Sequence, residues 1–139
     1  MTVDGSGPRF FLDRGLGSVF VPNGLRDRGW HVTTMDERYG SSVSQEVADV
    51  DWIREATERG ECLITKDVAI ARNPAEAEVV CNCDARVFAI TNARITGLEM
   101  LARLVRHEPA IFRWAQRTPP PFVLGLGPTG VARVRLTLP

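Results

Sequence analysis

The sequence predicts a three-layer α/β/α fold with a mainly parallel central sheet. Short apolar runs typical of buried strands alternate along the chain with segments whose apolar residues recur at helical spacing. This alternation favours parallel strands joined by crossover helices that pack on the faces of the sheet. The 139 residues give room for one well-packed domain, and their 44% hydrophobic and 24% charged content is ordinary for a globular protein.

The first half of the chain supplies three predicted strands and two helices. Ser18 is placed to cap a first helix that ends near Arg28, and Asp49 to cap a second helix that ends at Gly60. Residues 35–44, which precede the second helix, read as a polar loop. The strands predicted in this half are 10–12, 31–34 and 61–65.

The second half adds a fourth strand and ends in a hairpin. Residues 68–71 indicate a short helical turn, and Pro74 suits the first position of the next helix. A capping box of Thr96 and Glu99 begins a helix after the fourth strand, and Pro109 opens another. The strands predicted here are 86–91, 122–126 and 131–138, the last two joined at 127–130.

For these elements we adopt a strand order of about 2-1-3-4 with a C-terminal β-hairpin. We divide the chain into a flexible lead-in at 1–8, an α/β domain at 9–118 and a hairpin at 119–139 that packs on the same domain. No apolar run approaches the roughly 20 residues that a bilayer requires, and no secretory signal pattern opens the chain. We therefore expect a cytoplasmic protein with no membrane partner. The cysteines lack the paired spacing of a zinc site and are expected to be reduced thiols: Cys62, Cys81 and Cys83.

Polar side chains follow the predicted strands at one edge of the sheet. Asp13 follows strand one, Thr65 and Asp67 end strand three, and Asn92 comes just after strand four. In the order 2-1-3-4, strands one and three are neighbours, so Asp13 and Asp67 are expected to share the crevice in which open α/β sheets bind ligands. Thr65 would support that site by hydrogen bonding, and Asn92 would contact its ligand or metal.

The start of the second helix is expected to bring further carboxylates to this crevice, from Asp49 and Asp51. Several carboxylates in one crevice repel each other unless a cation or protons neutralise them. Carboxylate oxygens favour Mg²⁺ or Mn²⁺, and these ions can activate a water molecule for attack on a phosphodiester. We therefore treat Asp13, Asp49, Asp51 and Asp67 as candidate catalytic and metal-binding residues.

Each candidate also has a purely structural interpretation. Asp13 can begin a turn, Asp49 and Asp67 can cap helices, and the charge of Asp51 is favourable in a first helical turn. Lys66 is the single lysine among 17 basic residues, which suggests a local need for a compact ammonium group beside Asp67. The sequence leaves open whether that group contacts a phosphate or balances the carboxylates.

Charge is unevenly distributed along a chain whose net charge is zero. Residues 1–85 hold 15 of the 17 acidic side chains, and residues 86–139 hold 8 of the 17 basic ones with only 2 acidic. This asymmetry suits a cation-binding half beside a basic half that meets a polyanion or an acidic partner, although charges can also mix in the folded molecule. The candidate residues for binding the phosphate groups of a polyanion are Arg14, Lys66, Arg94, Arg133 and Arg135.

Three segments together resemble the PIN-like domains of bacteria, in particular those related to VapC-type toxins. They are F-F-L-D-R-G-L at 10–16, D-V-D-W-I at 49–53 and L-I-T-K-D at 63–67. The resemblance spans roughly residues 9–92, and it rests on the order and spacing of the segments because each one is short. It implies that Asp13 and Asp67 fall on the metal-binding acids of the family, and Asp49 or Asp51 on its helix acid.

The resemblance further implies a Mg²⁺- or Mn²⁺-dependent endoribonuclease that acts as the toxin of a toxin–antitoxin pair, with RNA as substrate and an antitoxin protein as partner. A homodimer is left open. Members of the family often carry a further acid after strand four, where this chain has the neutral Thr91 and Asn92. That departure motivates the alternative of a non-catalytic PIN-like module that binds a protein or nucleic acid.

A phosphoacceptor signalling domain with Asp67 as the acceptor is disfavoured. That design needs an acidic pair after strand one and a lysine after the last strand. Here Asp13 is followed by Arg14, and the lysine lies beside Asp67.

Overall fold

The computed structural model describes residues 7–92 and 94–139, so residues 1–6 of the expected lead-in lie outside the described residues. Strands and helices alternate as the apolar pattern predicts. Single 3₁₀ turns lie at Arg14–Leu16 and Ser44–Glu46. The strands are β1 (Arg9–Leu12), β2 (His31–Thr34), β3 (Cys62–Thr65), β4 (Arg86–Ile90), β5 (Phe122–Leu126) and β6 (Val131–Val134). The helices are α1 (Phe20–Asp27), α2 (Met35–Tyr39), α3 (Asp49–Glu58), α4 (Ala69–Arg72), α5 (Pro74–Cys83), α6 (Gly97–Arg106) and α7 (Glu108–Arg117).

The six strands form one sheet in the order β2-β1-β3-β4-β5-β6. All neighbouring pairs are parallel except β5 and β6, which form an antiparallel hairpin. The predicted order 2-1-3-4 and the C-terminal hairpin are confirmed. Helices α6 and α7 connect β4 to β5, so β5 lies parallel to β4 and adds a further parallel strand to the sheet. After β2, the chain crosses back over β1 and adds β3 on its other side. The strand order therefore reverses at β1 and β3, and this reversal creates a crevice at their carboxyl ends.

Both faces of the sheet are covered, which is why β3 and β5 are buried along their whole length. One face packs against α1, α6 and α7, and the other against α2, α3, α4 and α5. Aromatic side chains from β1 anchor the two sides, Phe10 on the first and Phe11 on the second. Within the described residues, no helix is long and apolar enough to cross a membrane.

Residues 35–44 are not the polar loop that their composition suggests. Met35–Tyr39 form α2, which starts directly after β2. The backbone N–H of Glu37 donates to Thr34 Oγ1 at 3.1 Å, and Glu37 Oε1 accepts from the backbone N–H of Thr34 at 2.9 Å. This capping box and the burial of Met35 stabilise the short helix, and the capping signature is already present in the sequence.

Two helix starts and one strand end also differ from the prediction. Val19 rather than Ser18 precedes α1, without a side-chain capping bond, and Asp49 is the first residue of α3 rather than its cap. The last strand ends at Val134 instead of 138. The following chain turns to α4, where the N–H of Thr137 donates to Ala71 O at 2.8 Å.

Candidate active site

The ends of β1 and β3 place two of the predicted aspartates side by side. The two strands pair in register from Phe10 with Cys62 to Leu12 with Ile64. The N–H of Asp13 then continues the ladder by donating to Ile64 O at 2.9 Å. Asp13 is therefore fixed at the strand end by its own backbone, and the chain beyond Ile64 must pass close to its carboxylate.

Thr65 connects the two aspartates through its hydroxyl. The hydroxyl donates to Asp13 Oδ2 at 2.7 Å and accepts from the backbone N–H of Asp67 at 3.0 Å. Asp67 Oδ1 in turn accepts from the N–H of Ala69 at 2.8 Å, ahead of α4. The threonine is 1% exposed, and its two partly buried hydrogen bonds tie the segment after β1 to the segment after β3.

Asp49 enters from the other side, on the first turn of α3. Its Oδ1 accepts from Trp52 Nε1 at 2.9 Å and lies 3.5 Å from Arg14 Nη1. Arg14 Nη2 also donates to Val47 O at 2.5 Å, which ties the segment after β1 to the segment before α3. Arg14, a predicted RNA-binding residue, therefore lies between two elements of the site, next to Asp49.

A fourth acidic side chain, Glu76, lines the same cleft, and the sequence-based prediction missed it. Asn73 caps α5 by accepting from the N–H groups of Ala75 and Glu76, and Pro74 begins the helix. Glu76 thus lies in the first turn of α5, which packs along α3. The start of α5 was predicted from Pro74, but the sequence carries no signal that this start lies over the carboxyl end of β3.

These side chains form a small cleft of about 20 Å³, roughly the space of one water molecule or ion. The polar lining consists of Asp13, Asp49, Thr65, Asp67 and Glu76, and the apolar wall of Trp52 and Ile70.

Burial and neighbouring negative charges raise the pKa of two acids of the cleft, Asp13 and Glu76. Burial raises the pKa of Asp13, the repulsion of Asp49 adds to this effect, and the hydrogen bond from Thr65 opposes it. Burial and the negative charges of Asp49, Asp67 and Asp13 raise the pKa of Glu76 to about 7. The cleft therefore favours a proton or a cation, which would relieve the repulsion.

The chemistry of the donors suits a hard divalent cation. All four acidic residues of the cleft offer carboxylate oxygens, the ligands that Mg²⁺ and Mn²⁺ prefer, and neither cysteine nor histidine lines it. Among residues 7–92 and 94–139, however, no three His, Cys, Asp or Glu side chains are already arranged as a metal site. Thr65 holds the carboxylate of Asp13, so binding an ion here would require the other acidic side chains to move towards it.

Two of the other predicted site residues lie outside the cleft. Asp51 on α3 does not line the cleft and forms an exposed salt bridge with Arg54 at 3.0 Å. Asn92 has a left-handed backbone, with φ of 54°, and lines a separate pocket of about 520 Å³ together with Arg94, Ile95 and Arg103. The structure therefore brings together Asp13, Asp49, Thr65 and Asp67, but not Asp51 and Asn92.

The basic candidates occupy different parts of the surface. The aliphatic stem of Lys66 crosses over Gly15, where an added Cβ would lie only 2.9 Å from Lys66 Cγ. Gly15 therefore makes room for the lysine beside the end of β1. Arg133 is exposed on β6, with its guanidinium carbon 5.2 Å from the centre of the Trp114 ring, and Arg135 is exposed just after the strand.

Comparison with known proteins finds a similar family and a similar protein. The family model described as "PIN like domain" matches residues 8–92. The chain is also 40% identical over 124 residues to "Putative ribonuclease VapC45" of Mycobacterium tuberculosis (strain ATCC 25618 / H37Rv), an alignment that covers 89% of each protein. No solved structure is significantly similar to the chain.

Proposed function

Because the chain belongs to the PIN-like domain family, we propose that it is a divalent-metal-dependent endoribonuclease and the toxin of a toxin–antitoxin pair. The observation that carries this proposal is the cleft at the ends of β1 and β3, where Asp13, Asp49 and Asp67 meet at the edge of the sheet that binds ligands in such folds. The relative from Mycobacterium tuberculosis, named a ribonuclease, supports RNA as the substrate.

In this proposal Asp13, Asp49 and Asp67 hold a Mg²⁺ or Mn²⁺ ion. A bound ion of this kind supplies an activated water molecule and offsets the negative charge of a phosphodiester under attack. Asp51 is the alternative ligand from α3, and its salt bridge with Arg54 would have to open for this role.

The remaining residues of the site orient these ligands and bind phosphate. Thr65 holds one oxygen of Asp13, so that the direction of the carboxylate is set before substrate arrives. Arg14 keeps the start of α3, and with it Asp49, against the end of β1. Lys66 and Arg14 add positive charge at the rim, which favours the phosphate groups of RNA. Asn92 would contact the substrate beyond the cleft.

We also propose the partners and the compartment that this function implies. Arg94, Arg133 and Arg135 would bind the RNA backbone outside the cleft. An antitoxin protein would pack on the exposed apolar side chains where α1 and α6 begin, and a toxin of this kind acts in the cytoplasm. These apolar side chains, 54–67% exposed, are Val19, Phe20 and Leu98.

The proposal is tested by incubating the purified protein with single-stranded RNA. We expect cleavage with Mg²⁺ or Mn²⁺, none with a chelator, and restored cleavage when the metal is added back. Asp13→Asn should remove the activity. Asp84→Asn is a matched control, because Asp84 is exposed and has a left-handed backbone that asparagine tolerates. Cleavage that persists in the chelator would contradict the metal-dependent mechanism.

A non-catalytic binding module is the second candidate function. Two observations favour it. Among the described residues, no group of three acidic side chains is arranged in advance as a metal site, and the residue after β4 is the neutral Asn92. Titration calorimetry separates the two functions, since a non-catalytic module would bind RNA or a protein partner without binding Mg²⁺ or Mn²⁺.

A further inference from the structure

Glu76 is the acidic residue of the cleft that neither the strand ends nor the α3 segment supplies. It lies on α5, and it lines the cleft together with Asp13, Asp49 and Asp67. Two residues fix where its helix begins: Asn73 caps the helix start, and Pro74 is the first helical residue. Packing of α5 against α3 then sets the distance between this helix start and Asp49.

A structural role does not account for this placement. A negative charge in the first turn of a helix gains a few tenths of a kcal/mol up to about 1 kcal/mol. Against that gain stands the repulsion of three aspartates in the same small cleft. Within the described residues, Glu76 forms neither a salt bridge nor a side-chain hydrogen bond that would offset the repulsion. A cation in the cleft would offset it.

The residue after β4 does not fill the position that Glu76 occupies. Asn92 lies in a separate pocket with Arg94 and Arg103, away from the aspartates. The cleft therefore draws its polar lining from β1, α3, the end of β3 and α5, and takes none from the end of β4.

We propose that Glu76 is a fourth carboxylate ligand of the divalent ion, supplied by the first turn of α5 in place of an acid after β4. This inference rests on the proposed function, because it concerns the ion of the same cleft. It assigns α5 a direct part in metal binding, beyond its part in covering the sheet.

The test is a calorimetric titration of the full chain with Mn²⁺ alone, without RNA. Glu76→Gln keeps the shape of the side chain and removes its charge, and Glu78→Gln makes the same change at an exposed position of the same helix. We expect the Kd for Mn²⁺ to rise about tenfold or more in Glu76→Gln and to stay unchanged in Glu78→Gln. Melting curves give a second readout: metal-free Glu76→Gln should melt no lower than wild type, and Mn²⁺ should raise its Tm less.

Each result decides a different claim. Equal Mn²⁺ affinity in wild type and Glu76→Gln overturns the role of Glu76 and leaves the proposed function intact. Absence of Mn²⁺ binding in the wild type overturns both. If Glu76→Gln does not fold, the same titration on Glu76→Asp decides, with weaker binding supporting the proposal and unchanged binding overturning it.

Discussion

At the scale of single residues, the site depends on a hydroxyl group that connects its acids. Thr65 donates to Asp13 and accepts from the backbone of Asp67, while being almost inaccessible to water. Thr65 thus ends the buried strand β3 and also lines the cleft. The T-K-D segment was predicted to end β3 in a site, but the sequence does not reveal which group the hydroxyl contacts.

Replacing Thr65 by valine should therefore separate packing from hydrogen bonding. Thr65→Val keeps the shape and leaves the N–H of Asp67 and one oxygen of Asp13 without their partner, which costs about 1–3 kcal/mol. Thr65→Ser keeps the hydroxyl and should restore most of the hydrogen-bonding contribution. Unfolding in urea measures both variants, and equal stability of the two would contradict the importance of the hydroxyl.

At the scale of elements, α2 shows why a segment of polar composition can still be helical. Its capping box starts it, and a buried ion pair anchors it to the strand beside the site. Arg38 of α2 donates to both carboxylate oxygens of Glu61, at 2.6 and 2.7 Å. Glu61 lies just before β3, and the side chains of Arg38 and Glu61 are 11% and 4% exposed. Polar residues whose partners lie far along the chain look like loop residues in the sequence.

Breaking this pair by removing one charge should be strongly destabilising. Glu61→Leu leaves the Arg38 guanidinium partly buried without its partner, and we expect a loss of about 3–5 kcal/mol. The double variant Arg38→Met/Glu61→Leu should recover much of this loss, because no charge then stays buried. Urea unfolding of the wild type, both single variants and the double variant gives the interaction energy, and additive losses would show that the pair is not coupled.

Prediction from the sequence succeeded where a signal is local and failed where it depends on how elements meet. The parallel sheet followed from the alternation of strands with helices, and the position of Asp13 and Asp67 in one cleft followed from the strand ends. Glu76 could not be predicted, because its place depends on the packing of α5 over β3. The pocket around Asn92 was missed for a related reason, since the chain after β4 turns away from the cleft through a left-handed residue.

At the scale of the whole molecule, the two halves of the chain carry opposite charge and meet in one sheet. The acidic half provides every carboxylate of the cleft, while the basic half includes the β5–β6 hairpin. Arg133 and Arg135 of the hairpin are exposed. The guanidinium group of Arg133 lies over the face of the Trp114 ring in a cation–π contact. This arrangement would let RNA bind along the basic edge and reach the acidic cleft at the end of the sheet.

If the hairpin arginines bind RNA phosphates, their removal should change the salt dependence of binding. Arg133→Ala and Arg135→Ala should each weaken binding to all RNA sequences alike and lower the slope of log Kd against log salt by about 0.7. Arg28→Ala is a matched control with the same change of charge, at an arginine already paired with Glu108. Fluorescence anisotropy with a chelator present measures binding without cleavage, and an unchanged slope would remove the hairpin from the RNA surface.

The proposed function rests on the claim that the cleft between β1, β3 and α3 cleaves RNA with a divalent ion, and Asp67→Asn is its sharpest test. The asparagine oxygen can still accept from the N–H of Ala69, so the fold should be kept while one charge of the cleft is lost. The measurement is the single-turnover rate of RNA cleavage at saturating Mg²⁺. We predict a rate at least about 100-fold below that of the wild type, equivalent to roughly 2.7 kcal/mol of transition-state stabilisation. A folded Asp67→Asn protein that cleaves RNA as fast as the wild type would contradict the claim.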